Sequence, residues 1–112
     1  MKHRLLTLAA TAALPLLAGL AQAADVPAPA CEDIRKLRFS CDAAGTIRLS
    51  AGMTTTRHDG QSLLADIDHL FYDAPITGKK ALVEVPGYAP GKHLVFLAVP
   101  HDCYPPRQVV CP

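Results

Sequence analysis

Residues 62–73, SLLADIDHLFYD, decide whether this chain is all-β or α+β. Leu63, Leu64, Ile67, Leu70 and Phe71 recur at i, i+1, i+4, i+7 and i+8, which would line one helical face with Ser62 as its cap. Read as a strand, Leu63, Ala65, Ile67 and Phe71 share a face interrupted only by His69, while the other face carries Asp66 and Asp68 with Leu64, Leu70 and Tyr72. Periodicity alone leans to helix. We read a strand, because of what surrounds the segment.

Downstream, KKALVEVP (79–86) is a strand in which Leu82 flanks Val83 and Val85. A turn over Pro86–Gly91 leads into a second strand, HLVFLAVP (93–100). Leu94 to Val99 contains no polar residue, which predicts a central strand covered on both faces. Pro100 and Pro105-Pro106 stop the ladder, and Gln108–Cys111 makes a short last strand. Upstream, Leu37, Phe39 and Cys41 alternate with Arg38 and Ser40, and Ile47, Leu49 and Ala51 alternate with Arg48 and Ser50. With Asp42–Gly45 between them, these read as a β-hairpin. Thr54, Thr55 and Thr56 favour extended structure, and His58-Asp59-Gly60 is a turn.

The stretch from Ile67 to Val99 resembles bacterial immunoglobulin-like and PEGA-type domains. In these, a strand ending near an aspartate is followed by a turn with proline, a strand, and a turn into a long apolar strand. The matching residues are Asp68, Pro75, Pro90, Gly91 and His93, and His69 stands where PEGA-type domains usually carry Gly. The resemblance implies an all-β sandwich acting as a binding or structural module of the cell envelope, and it transfers no catalytic residue. The expected fold is therefore mainly β, a small disulfide-stabilised immunoglobulin-like β-sandwich. The alternative is α+β, with one helix at about 62–72 packed on an antiparallel sheet.

The chain opens with Lys2, His3 and Arg4, then an uncharged Leu- and Ala-rich run from Leu5 to Leu20, then Ala21-Gln22-Ala23. This is the layout of a cleavable secretion signal over residues 1–23, cut before Ala24. Pro15 interrupts the run, which is short for a membrane span, so no stable membrane insertion is expected after cleavage. Residues 24–30, ADVPAPA, read as an extended Pro-rich tail, and 31–112 as one β-rich domain. Residues 24–112 hold nine basic and ten acidic side chains. Such a balance has no footprint for nucleic acid. Arg35, Lys36 and Arg38 cluster, but Glu32, Asp33 and Asp42 flank them, so a mixed-charge surface is expected.

A domain this short is often marginal without covalent help. Cys31, Cys41, Cys103 and Cys111 form an even set, read as two disulfides of an exported protein. The preferred pairing is Cys31–Cys41 with Cys103–Cys111, because short loops close most readily. The alternative is Cys41–Cys111 with Cys31–Cys103, which alternation with Leu37, Phe39 and Val109 supports.

Little in the chain suggests catalysis. Ser40, Ser50 and Ser62 lack a G-x-S-x-G turn, Cys103 and Cys111 are too far apart for C-x-x-C, and nothing brings Glu32 and Glu84 together. Asp66, Asp68 and Asp73 lack the glycine and spacing of a calcium loop. His58, His69, His93 and His101 read as surface or turn histidines, although His69, His93 and His101 are the alternative ligands for copper or zinc. The remaining feature is the loop from Pro100 to Arg107, in which prolines stiffen a display of His101, Tyr104 and Arg107. The expectation is a non-enzymatic periplasmic or secreted module without cofactor. It would bind another envelope or extracellular protein through that loop, as an inhibitor or immunity-type factor. A metal-binding and a purely structural role are the alternatives.

Overall fold

The alternating segments form seven antiparallel-paired strands in the computed structural model, which describes residues 26–112. The expected secretion signal and its cut before Ala24 lie outside the described residues. After a 3-10 turn at Cys31–Asp33 come β1 (Ile34–Cys41), β2 (Ile47–Met53), β3 (Ser62–Ile67), β4 (Leu70–Thr77), β5 (Lys80–Val85), β6 (Gly91–Val99) and β7 (Arg107–Cys111).

The deciding segment is extended throughout, yet it is two strands rather than one. Asp68 and His69, at φ 50° and 69°, form a two-residue hairpin turn that splits it. Such turns need the left-handed region at both positions, and Asp and His enter it more readily than most side chains. Asp66 Oδ1 accepts the His69 N–H at 2.9 Å, and Asp68 Oδ1 accepts the Leu94 N–H at 2.9 Å. These bonds hold the turn without glycine. The helical face was illusory: Leu63 and Ile67 are fully buried, while Leu70 and Phe71 are 58% and 62% exposed.

The strands run in the order β1-β2-β5-β4-β3-β6-β7. Lettered A to G, this is A-B-E-D-C-F-G, the ABED and CFG pairing of an immunoglobulin constant-type sandwich joined through D and C. β4 makes the join, pairing with β3 from Leu70 to Pro75 and with β5 at Ile76 and Thr77. The links from β2 to β3 and from β5 to β6 wind around the β3-β4-β5 meander as Greek keys. Inward residues of both layers meet in the core: Leu49, Ala51 and Met53 of β2 against Leu63 and Ala65 of β3, Ala74 and Ile76 of β4, and Leu97 of β6. At one end Ile47, Ile67, Val95, Val109 and Cys111 continue it.

β1 and β7 are the two outer strands of this order, and they are joined by sulfur. Cys41 bonds Cys111 and Cys31 bonds Cys103, with Cα separations of 5.1 and 5.3 Å. This corrects the preferred pairing of neighbours. Ease of loop closure was the wrong criterion, because the Greek-key winding carries the first and last strands together and decides which cysteines meet.

Two further expectations change. β6 is covered on one face only: Val95 and Leu97 are buried, but Leu94 and Val99 are 37% and 41% exposed, and Phe96 is half-buried. Nor is the segment from Val26 to Ala30 a free tether. Gln61 Nε2 donates to the carbonyls of Val26 and Pro27, both at 3.2 Å, and Pro29 is buried.

Candidate functional site

The uncovered face of β6 belongs to a groove. Cross-strand pairing sets Asp66 of β3 between Phe71 of β4 and Phe96 of β6, all on the outer face. Leu64 pairs with Val99 on the same face, where a bulge shifts the β3–β6 register. From Val99 the chain leaves β6, and residues 100–106 rise as a wall carrying His101, Asp102, Tyr104 and Pro106. Together they enclose about 520 Å³. Cys103, bonded to Cys31, pins the wall to the start of β1. In a sandwich of this topology the wall is the F–G loop.

The expected binding residues divide here. His101 is exposed on the groove rim, 3.4 Å from Asp102. Tyr104 lines the groove but also packs against the core, so it supports the fold as well as the wall. Arg107 is exposed at the start of β7 and is not among the lining residues. Phe71, Phe96 and Asp66 were missed as site residues. Their signal was alternation, but only a turn placed at Asp68-His69 puts Phe71 beside Asp66 on the outer face.

The copper or zinc ligands are not gathered. His93 Nδ1 lies 2.5 Å from Asp68 Oδ2 and Nε2 lies 2.7 Å from the Ala89 carbonyl, so both ring nitrogens are engaged. The Ala89 carbonyl and then Asp68 raise its pKa above the usual imidazole value, and His93 in turn lowers that of Asp68. His69 is exposed in the β3–β4 turn, and His101 is on the F–G loop. Among the described residues no group of three or more His, Cys, Asp or Glu side chains could hold a metal ion.

His58, read as a turn residue, is instead fully buried. Its Nε2 is 3.0 Å from Asp33 Oδ2 and its Nδ1 is 2.8 Å from Gln61 Oε1. Gln61 also holds Val26 and Pro27, so this set fastens the N-terminal segment to the β2–β3 loop. No sequence motif marks it, since Asp33 lies 25 residues from His58 along the chain. It is structural.

The charges of the expected mixed surface are unevenly spread. Asp33 is engaged by His58 and Asp42 by Arg48 at 2.8 Å, so neither neutralises the nearby basic cluster. On the outer face of β1-β2-β5, Lys36, Gly52 and Lys80 form one row, and Arg38, Ser50 and Leu82 the next. Arg35 and Lys79 adjoin them around a shallow hollow. The following row of the same face is mixed, with Arg48 bridging Glu84 at 2.6 Å and Asp42 at 2.8 Å.

No family model, curated protein or solved structure matches this chain. The molecule is therefore read from its own chemistry. Two disulfides with no free cysteine among the described residues place it in an oxidising, non-cytoplasmic compartment. Among those residues no helix is long and apolar enough to cross a membrane.

Proposed function

We propose that this is a non-enzymatic protein-binding module of the periplasm or extracellular space, of inhibitor or immunity type, which holds its partner in the groove beneath the F–G loop. The observation that carries this reading is the company kept by Phe71. It is 62% exposed, in a continuous apolar surface with Leu64, Phe96 and Val99, against a loop fixed by Cys31–Cys103. Apolar surface of this continuity beside a polar rim is how interaction sites are built. A wall held covalently loses less conformational freedom on binding, which leaves more of the contact energy as affinity. The resemblance to envelope immunoglobulin-like and PEGA-type domains points the same way.

The test uses three forms of the oxidised domain on a periplasmic extract and on culture medium, with captured proteins identified by mass spectrometry. Wild type should retain one stoichiometric partner, and Lys80→Glu, on the opposite layer, should retain it too. Phe71→Glu should lose it with its melting temperature unchanged. Equal capture by a folded Phe71→Glu variant overturns the proposal.

A further inference from the structure

The groove floor holds a carboxylate where an apolar site would have none. Asp66 is only 4% exposed. Its Oδ1 accepts the His69 N–H, and no donor among the described residues meets Oδ2. Asp66 forms no ion pair with any Lys, Arg or His of the described residues, and no Lys or Arg lines the groove. His101, the basic side chain of the lining, lies 3.4 Å from Asp102 instead. Asp73, cross-strand from Leu64, adds a second carboxylate to the same outer face. A carboxylate set among apolar groups, with an oxygen that no protein donor occupies, is a ready acceptor for a charged donor. Here the fold supplies one donor, and the open side of the group is the groove.

We propose that the groove takes a polypeptide segment with an arginine or lysine between apolar neighbours, the cation seated on Asp66 between the rings of Phe71 and Phe96. This rests on the reading of the groove as a protein-binding site and names the side chain it selects. Directly paired residues on adjacent strands have Cβ atoms about 4.5–5.5 Å apart, so both rings stand within reach of a charge placed on Asp66. Aromatic faces attract such a charge, and more strongly once it is desolvated. Leu64 and Val99 offer apolar contact to the flanking side chains. Asp66 and Asp102 in a lining without Lys or Arg make the selection one of sign as well as shape.

Three capped pentapeptides test it, each with leucines flanking a central arginine, norleucine or glutamate. Amide shifts of Asp66, Phe71 and Phe96 are followed by NMR on the oxidised domain. The arginine peptide should bind at least about tenfold tighter than the norleucine peptide, about what one charge-assisted contact supplies. The glutamate peptide should bind weakest. Asp66→Asn keeps an oxygen for the His69 N–H and should abolish the preference for arginine. Phe71→Ala, at an exposed position, should reduce it without threatening the fold, which keeps the question open to test if Asp66→Asn does not fold. Equal affinity for arginine and norleucine at the same amides overturns the cation inference and leaves the groove reading standing. No shift at these amides with any peptide overturns both.

Discussion

His93 and Asp33 sit at opposite ends of the sandwich and set opposite limits on its pH range. The raised pKa of His93 means that its stabilising contribution is complete below the unfolded value, about 6.5, and is lost as pH rises through the folded value. The Asp33 pKa is lowered, first by the Ala30 N–H and also by His58 and Arg57. Its contribution is present above the unfolded value, about 3.9, and disappears as pH falls through the lower folded one. Melting temperature against pH should therefore fall on both sides of a plateau. His93→Gln should flatten the decline above about pH 6.5, and Asp33→Asn should flatten part of the acid decline; unchanged slopes in both variants would refute the assignment. A second residue-scale demand falls on Gly45 in the β1–β2 turn. Its φ is +80°, and a Cβ there would lie 2.4 Å from the Tyr88 carbonyl oxygen, while the Tyr88 N–H donates to the Gly45 carbonyl at 3.0 Å. Backbone meets backbone, so nothing flexible can yield. Gly45→Ala should destabilise the domain by about 2–3 kcal/mol in chemical denaturation.

Elements were legible wherever alternation was clean and turns carried their usual residues. The β1–β2 hairpin followed from Leu37, Phe39, Ile47 and Leu49 around Asp42–Gly45, and within it the structure pairs Phe39 with Leu49. β5, the turn after it and β6 were equally plain. The β3–β4 hairpin was not, because Asp68-His69 lacks the glycine that marks such turns, and part of what holds it is contact with Leu94, 26 residues away. The candidate groove suffered for the same reason: the F–G loop could be singled out from its prolines, whereas Phe71 and Asp66 needed the turn to be placed first. The missing glycine leads to a prediction. His69 is exposed, holds φ 69°, and its ring makes no hydrogen bond among the described residues. His69→Gly keeps the N–H that Asp66 accepts and relieves the left-handed strain, against some added freedom in the unfolded chain. The net should be a gain of about 0.5–1 kcal/mol in denaturant midpoint analysis. A loss would show that the imidazole does something in the turn beyond occupying it.

At the scale of the molecule, near-neutrality hides a separation of charge. Residues 24–112 carry nine basic and ten acidic side chains, yet Lys36, Arg38 and Lys80 share one outer face, with Arg35 and Lys79 beside them. At low ionic strength and pH 8 the domain should be retained on a sulfonate resin, and Lys36→Glu with Lys80→Glu should release it; co-elution of the two would contradict the separation. The sulfur bridges follow from the same whole-molecule geometry. β1 and β7 run in the same direction at the two ends of an antiparallel order, and no ladder between them is present among the described strands. Cys41–Cys111 closes this seam at one end and Cys31–Cys103 at the other, spanning 70 and 72 residues. In the chain-entropy description, the first of these bridges raises the free energy of the unfolded state by about 4 kcal/mol, and the second, which then closes only the segments 31–41 and 103–111, adds about 3 kcal/mol. A small domain has only about 5–15 kcal/mol in total. The property that made these pairs look unfavourable, a long loop, is thus what makes them effective. Cys31→Ser with Cys103→Ser, which leaves Cys41–Cys111 in place, should lower stability by about 3 kcal/mol and increase hydrogen exchange in the F–G loop while leaving the β1–β2 hairpin protected. Cys41→Ser with Cys111→Ser should cost a similar amount but expose the amides of β7, whose ladder partner among the described strands is β6 alone. If both pairs of substitutions loosen the same amides, the seam is not closed independently at its two ends.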